Sequence, residues 1–156
     1  MCFGICLAFQ GLPKSCKITS IVSLVAAHRS VREALTIQQR EMGISGGLVA
    51  EGRDIGTAVF PKAELKIFLT ASATERARRR ILDLKNKGFS VPSLKELENQ
   101  IKERDRIDST RENSPLVKAQ DATELVTDGM SIDKVIETIE ELFRVKVPEE
   151  VWPTPS

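Results

Sequence analysis

The run Glu51-Gly-Arg-Asp-Ile-Gly-Thr-Ala-Val-Phe-Pro61 decides how the rest of the chain is read. A short apolar stretch, Gly47-Leu-Val-Ala50, leads into it, and residues 47–51 read as a strand. Leu65-Lys-Ile-Phe-Leu-Thr70 follows and reads as a second strand, near-continuously apolar as a buried parallel strand is. A glycine-flanked Arg-Asp pair at the end of a buried strand stands where open α/β sheets place ligand-binding groups. Arg53 is then available to a phosphate, and Asp54 can accept from an amino group or a hydroxyl. The other reading of residues 52–57 is a simple turn in which Gly52 and Gly56 supply backbone freedom.

Upstream, Ile18 to Met42 has a helical pattern, with Ile21, Val25, Val31, Leu35 and Ile37 at apolar spacings. Arg29-Ser30 is a candidate break within it, His28 a boundary residue, and Ser45-Gly46-Gly47 a stop. Downstream, Ser72 with Glu75 and Ser93 with Glu96 form capping-box patterns that start two helices, one ending near Gly88 and one near Asp108. Residues 123–127 read as a third strand, Asp128-Gly129 as a turn, and Ser131 as the cap of a last amphipathic helix. Its apolar face carries Ile132, Val135, Ile136, Ile139 and Leu142. Strands alternating with helices predict a parallel α/β sheet.

Seven arginines fall between Arg76 and Arg111. Guanidinium is the side-chain group best shaped to grip phosphate. Arg104, Asp108 and Arg111 lie at i, i+4 and i+7, so one carboxylate can hold two guanidinium groups ready for an anion. Spacing alone fits a solvated salt-bridge ladder more readily. Arg76 and Arg80 are i, i+4 with no acid between them, and Glu75 and Asp83 can balance them on an exposed face. Spacing again favours that plainer reading.

Bulk properties exclude several classes. With 156 residues the chain predicts one domain, 41% hydrophobic content suffices for a core, and a net charge of +1 gives no case for bulk nucleic-acid binding. No Tyr and one Trp leave little for base stacking. Cys2, Cys6 and Cys16 all lie in the first sixteen residues, too few and too poorly placed for a zinc site, and an odd count suits a reducing compartment. No metal ligand set is expected. Cys2 to Leu12 lacks a basic n-region and is too short to span a bilayer.

Taken together, these residues resemble the bacterial-type cytidylate kinases, (d)CMP kinases of the P-loop nucleoside monophosphate kinase group. The carrying motifs are Val25-Ala-Ala27, Val31-Arg-Glu-Ala-Leu35, Glu51-Gly-Arg-Asp-Ile-Gly-Thr57, Val59-Phe-Pro61 and Leu65-Lys-Ile-Phe-Leu69. They continue with Glu75-Arg-Ala-Arg-Arg-Arg80, Lys87-Gly-Phe-Ser90, Lys102-Glu-Arg-Asp105, Asp108-Ser-Thr-Arg111 and Pro115-Leu116. The resemblance covers about residues 20–145. A closing Val147-Pro-Glu-Glu-Val-Trp-Pro153 is similar to the tails of cyanobacterial and plastid-type relatives.

The resemblance implies that Ser23, Arg32 and Asp54 read the cytosine edge, with Asp54 orienting Arg32. It implies that Arg53, Arg104 and Arg111 hold the acceptor phosphate and that Asp108 bonds the sugar hydroxyls. Arg76 and Arg80 are the implied catalytic pair, on a short lid at about 72–90 that closes over the ATP phosphates. The implied reaction is ATP plus CMP or dCMP giving ADP and the diphosphate, with Mg²⁺ bridging the ATP phosphates. Implied partners are these small molecules, without nucleic acid or membrane, acting on a monomer in the cytoplasm or, for a plant chain, the plastid stroma.

One family feature is absent from these residues. A Walker A loop, Gly-x-x-x-x-Gly-Lys-Ser/Thr, cradles ATP phosphates on backbone amides, and the only glycines before residue 43 are Gly4 and Gly11. The expectation is therefore a truncated P-loop-kinase-like α/β fold lacking the first, central strand and its loop. Residues 1–17 form a segment outside the family pattern, 18–146 the kinase-like domain, and 147–156 a proline-rich tail. In the family sheet the lacking strand lies between those matching 47–51 and 65–70. Either these two pair directly, or Cys16-Lys-Ile-Thr19 fills the gap, or the chain folds poorly alone. Such a chain is expected to be inactive by itself. The alternative is a non-catalytic nucleotide-binding remnant or interaction module.

Overall fold

The computed structural model describes Val25 and residues 28–149. Among the described residues the elements run α1 (Arg29–Met42), a π-helical turn (Ile55–Val59), β1 (Ile67–Thr70), α2 (Ala73–Asn86), α3 (Leu94–Thr110), β2 (Thr123–Val126) and α4 (Ile132–Lys146). β1 and β2 pair in parallel, with Ile67 opposite Thr123 and Thr70 opposite Val126. The result is a two-stranded parallel sheet with flanking helices, the α/β class that alternating elements predict.

Three helices start where their sequences say. Ser72, Ser93 and Ser131 each accept a hydrogen bond from the backbone N–H three residues on. At Ser93 the box is reciprocal, since Glu96 accepts from the Ser93 N–H at 2.8 Å. At Ser72 it is not. There the backbone N–H donates to Asp128 at 2.8 Å, and Glu75 instead accepts from Arg79 at 2.9 Å. The exchange ties the start of α2 to the end of β2. Arg79 strengthens that tie by donating to Thr127 Oγ1 at 3.0 Å, and Thr127 is buried.

The strand expected at 47–51 does not form. β1 takes β2 as its partner, so 47–51 and 65–70 do not pair directly. A strand exists only with a neighbour to complete its ladder, and an apolar run alone does not supply one. Leu48 and Ala50 instead pack on a small core of Ile55, Val59 and Phe60. The loop expected at 52–57 is also partly helical. Asp54 C=O accepts from Ala58 at 2.8 Å and Val59 at 3.2 Å, and Phe60 N–H reaches Ile55 C=O at 2.7 Å. The last two of these are i→i+5 bonds, and they wind Ile55–Val59 into one π turn.

The upstream break falls at His28, which is extended at the N-cap of α1. Residues 18–24, and with them Ser23 and the proposed Cys16–Thr19 filler, lie outside the described residues. So do residues 1–17 and the end of the tail. The first tail residue, Val147, is among the most buried side chains. α2 and α3 pack on each other around buried Ala77, Leu84 and Leu97. Neither α1 nor α4 contains a buried residue. No helix of the described residues is long and apolar enough to cross a membrane.

Candidate functional site

The site begins where α1 meets the π turn. Arg32, in the first turn of α1, pairs with Asp54, which is only 3% exposed. Two turns later Arg40 donates to the carbonyls of Ala58 at 2.7 Å and Val59 at 3.1 Å. Two clamps at the two ends of the turn therefore hold Asp54 against α1. Gly52 makes room for this packing, since a Cβ there would stand 2.7 Å from Ile55 Cγ1. A side chain at that position would push on the segment that carries Arg53 and Asp54.

From Asp54 the charges continue into α3. Arg111 Nη2 lies 3.9 Å from Asp54 Oδ1, and its Nη1 lies 3.8 Å from Asp108 Oδ1. Asp108 also has Arg53 Nε at 3.2 Å and Arg104 Nε at 3.6 Å. Arg53 reaches on to Asp105 at 3.2 Å, and the other oxygen of Asp105 accepts from Arg76 of α2. α3 places Arg104, Asp108 and Arg111 on one face, as the i, i+4, i+7 spacing predicts, with Arg111 at its C-cap. The loop beyond folds back: Leu116 N–H donates to Asp108 C=O at 2.8 Å, and Arg111 Nε donates to Ser114 C=O at 2.6 Å.

A solvated ladder is not what this face forms. Asp108 is 2% exposed, and the side chain of Arg111 is 4% exposed. Burying ions costs several kcal/mol each unless they are paired, by rough estimate. Here Arg32, Arg53, Arg76, Arg104 and Arg111 face Asp54, Asp105 and Asp108, an excess of two positive charges. The acidities carry the same message. Burial, and next the charge of Arg111, hold Arg32 below the usual guanidinium value. Burial and then Arg53 do so for Arg104. Arg111 is lowered by burial first, against the opposing pull of Asp108. Arginines in this state repel one another, and an anion among them relieves the repulsion.

Several buried atoms lack a hydrogen-bonding partner in the protein. They include Nε of Arg32, Arg76 and Arg104, Nη2 of Arg111, and Oδ2 of Asp108. Asp108 Oδ2 already stands in ion pairs with Arg53 and Arg104, whereas the unused guanidinium donors match a ligand that carries an anion. Among the described residues no group of three or more His, Cys, Asp or Glu is placed to hold a metal ion.

The network brings together every described CMP-site residue of the sequence reading: Arg32, Arg53, Asp54, Arg104, Asp108 and Arg111. Arg76 joins through Asp105. Arg80 makes its ion pair with Asp83 at 2.7 Å within α2. Asp105 is the residue the sequence reading missed, although it stands in a quoted motif. Its partners lie 52 and 29 residues away, which no local spacing reveals. Arg53, Arg76 and Asp105 also line a cleft of about 850 Å³ between residues 50–57 and β1.

Comparison with known proteins completes the picture. The sequence profile of the family described as cytidylate kinase matches residues 12–145. The chain is 72% identical over 143 residues to a bifunctional pantoate ligase/cytidylate kinase of Prochlorococcus marinus strain MIT 9303, covering 92% of this chain and 29% of that protein. Proteins of the same name from Synechococcus sp. strain CC9902 and Parasynechococcus marenigrum strain WH8102 are 68% and 66% identical over 143 residues. In both cases 92% of this chain is covered, against 30% and 28% of the relative. The chain thus spans under a third of the length of these relatives.

Proposed function

The chain belongs to the cytidylate kinase family, and on that premise we propose that its ionic cluster is the acceptor-nucleotide site of a CMP or dCMP kinase. The observation that carries this reading is the excess of two positive charges around the buried carboxylates Asp54 and Asp108. A phosphate monoester carries about −1.5 to −2 charges at neutral pH, which complements that excess. Arg53, Arg104 and Arg111 hold the phosphate. Arg32, oriented by Asp54, reads the cytosine edge together with Ser23, and the carboxylate of Asp108 accepts from a sugar hydroxyl.

In the reaction, an oxygen of the CMP phosphate forms a bond to the γ-phosphorus of ATP. The bond from that phosphorus to the β–γ bridging oxygen breaks, and ADP leaves with the electron pair. Arg76 and Arg80 act on the charge that spreads over the transferring group, where positioning and electrostatics supply most of the rate. Mg²⁺ would enter with ATP as part of that substrate and would neutralise charge on its phosphates. The substrates are soluble nucleotides, so we place the reaction in pyrimidine nucleotide metabolism and, from the cyanobacterial relatives, in the cytoplasm of a cell of that kind. A monomer suffices, because one chain supplies the whole described cluster.

These 156 residues contain no Gly-x-x-x-x-Gly-Lys-Ser/Thr run. That favours acceptor binding with little turnover by this polypeptide alone, since the loop and its Lys make the main ATP phosphate contacts. The test mixes the purified chain with ATP, Mg²⁺ and CMP, and follows bound CMP and released ADP in parallel. Bound CMP with little CMP-dependent ADP is the expected result. No bound CMP overturns the reading, and rapid CMP-dependent ADP release overturns the part concerning turnover.

A further inference from the structure

Asp105 touches no ligand group in the reading above, yet among the described residues it is the carboxylate that joins Arg53 to Arg76. Its Oδ1 accepts from Arg53 Nη1 at 3.2 Å, and its Oδ2 accepts from Arg76 Nη2. Arg53 belongs to the interior cluster through Asp108, at 3.2 Å. Arg76 stands on another helix and faces the 850 Å³ cleft. All three side chains are about one-third exposed or less, so their charges interact with moderate screening. Arg76 Nε is buried without a partner, so this guanidinium keeps a donor in reserve.

We propose that Asp105 is a positioning residue that couples the acceptor site to the cleft by sharing one carboxylate between Arg53 and Arg76. The inference rests on the CMP-site reading above. The two arginines compete for the same charge. When an acceptor phosphate engages Arg53, it weakens the Arg53–Asp105 contact, and the carboxylate is left to hold Arg76 at the mouth of the cleft. Reciprocally, without Arg76 the carboxylate grips Arg53 harder and competes with the phosphate. Linkage requires these two effects to be equal in free energy. Occupation of the acceptor site thereby sets the arm that meets the transferring group.

The test is a double-mutant cycle on the full chain, read by calorimetric affinity for CMP, with cytidine as the ligand lacking the phosphate. The proteins are wild type, Arg76→Gln, Asp105→Asn and the double variant. Arg78→Gln, exposed on the same helix, controls for the loss of one positive charge. Arg76→Gln is expected to weaken CMP binding roughly three- to tenfold in the wild-type background and less than about twofold beside Asp105→Asn. Arg78→Gln and all cytidine affinities should stay within about twofold, since neither reaches the shared carboxylate.

An equal effect of Arg76→Gln in both backgrounds overturns the coupling, as does no effect in either. If Asp105→Asn fails to melt cooperatively, Arg76→Lys decides. Restored charge on the carboxylate should return CMP affinity to within about twofold of wild type, and a loss as large as that of Arg76→Gln counts against the proposal. Wild type that does not distinguish CMP from cytidine would sink the site reading itself, a separate outcome from an additive cycle.

Discussion

Two regions of this molecule treat burial in opposite ways. Asp54 and Asp108 are 3% and 2% exposed, deep among arginines. Helix α4 has an apolar stripe but buries none of its residues, and Ile132 at its start is 79% exposed. On the sheet, Leu69 and Val126 are each 56% exposed. Hydrophobic burial normally supplies most of a domain's stability, and buried charge normally costs. Among the described residues, the ionic groups of the proposed site are sheltered while apolar groups of strand and helix are uncovered. That is the arrangement expected when electrostatic positioning, and not packing, is the property in use.

The contrast can be broken most sharply at Asp108. Asp108→Ala leaves buried Arg111 and part-exposed Arg53 and Arg104 without their common counter-charge and should cost about 3–5 kcal/mol in urea denaturation. A loss below about 1 kcal/mol would mean the cluster is solvated after all. Next in size is recognition. Arg111→Lys keeps the charge but not the planar fork between Asp54 and Asp108, and should weaken CMP binding by about 1.5–3 kcal/mol, with little change for cytidine. Equal losses for both ligands would place Arg111 away from the phosphate.

Smaller effects sharpen the frame around the site. Ser93→Ala removes a reciprocal cap from α3, the helix that carries three of the cluster's residues, and should cost roughly 0.5–2 kcal/mol of thermal stability. An unchanged melt would show that α3 is held by packing alone. Hydrogen bonding from the Ser72 side chain and backbone holds the Asp128 carboxyl below its ordinary range. A lowered folded-state pKa means stabilisation that is present above the unfolded value, near 3.9, and lost as the pH falls through the folded one. Asp128→Asn should therefore lower stability at neutral pH by that contribution and flatten the acid side of the profile, so that the two proteins converge at low pH; an acid limb as steep as that of wild type would contradict it. Last comes Ile132→Ser on the exposed start of α4, expected within about 0.5 kcal/mol of wild type. A large loss there would show that the apolar stripe is covered after all.

What the sequence disclosed, it disclosed through local rules. Ser72, Ser93 and Ser131 marked helix starts because a cap needs only its own next three residues. Arg104, Asp108 and Arg111 shared a face because 3.6 residues make a turn. The failures lie where a partner is distant. Residues 47–51 look like a strand, but strandhood depends on a neighbour that the run itself cannot supply. The π turn at Ile55–Val59 has no simple periodic signature. Spacing alone favoured a solvated ladder at Asp108, because burial is set by Arg53, 55 positions earlier, and by the folded-back loop at Leu116. Arg76 looked like one of several surface charges until Asp105 tied it to the interior.

Calorimetric titration of the purified chain with CMP, and with cytidine under the same conditions, tests the central claim most directly. A cluster with two excess positive charges that waits for a phosphate predicts CMP bound at least about tenfold more tightly than cytidine, with the difference shrinking as salt is raised. Equal affinity for the two, or no heat with CMP in a chain that melts cooperatively, would contradict it.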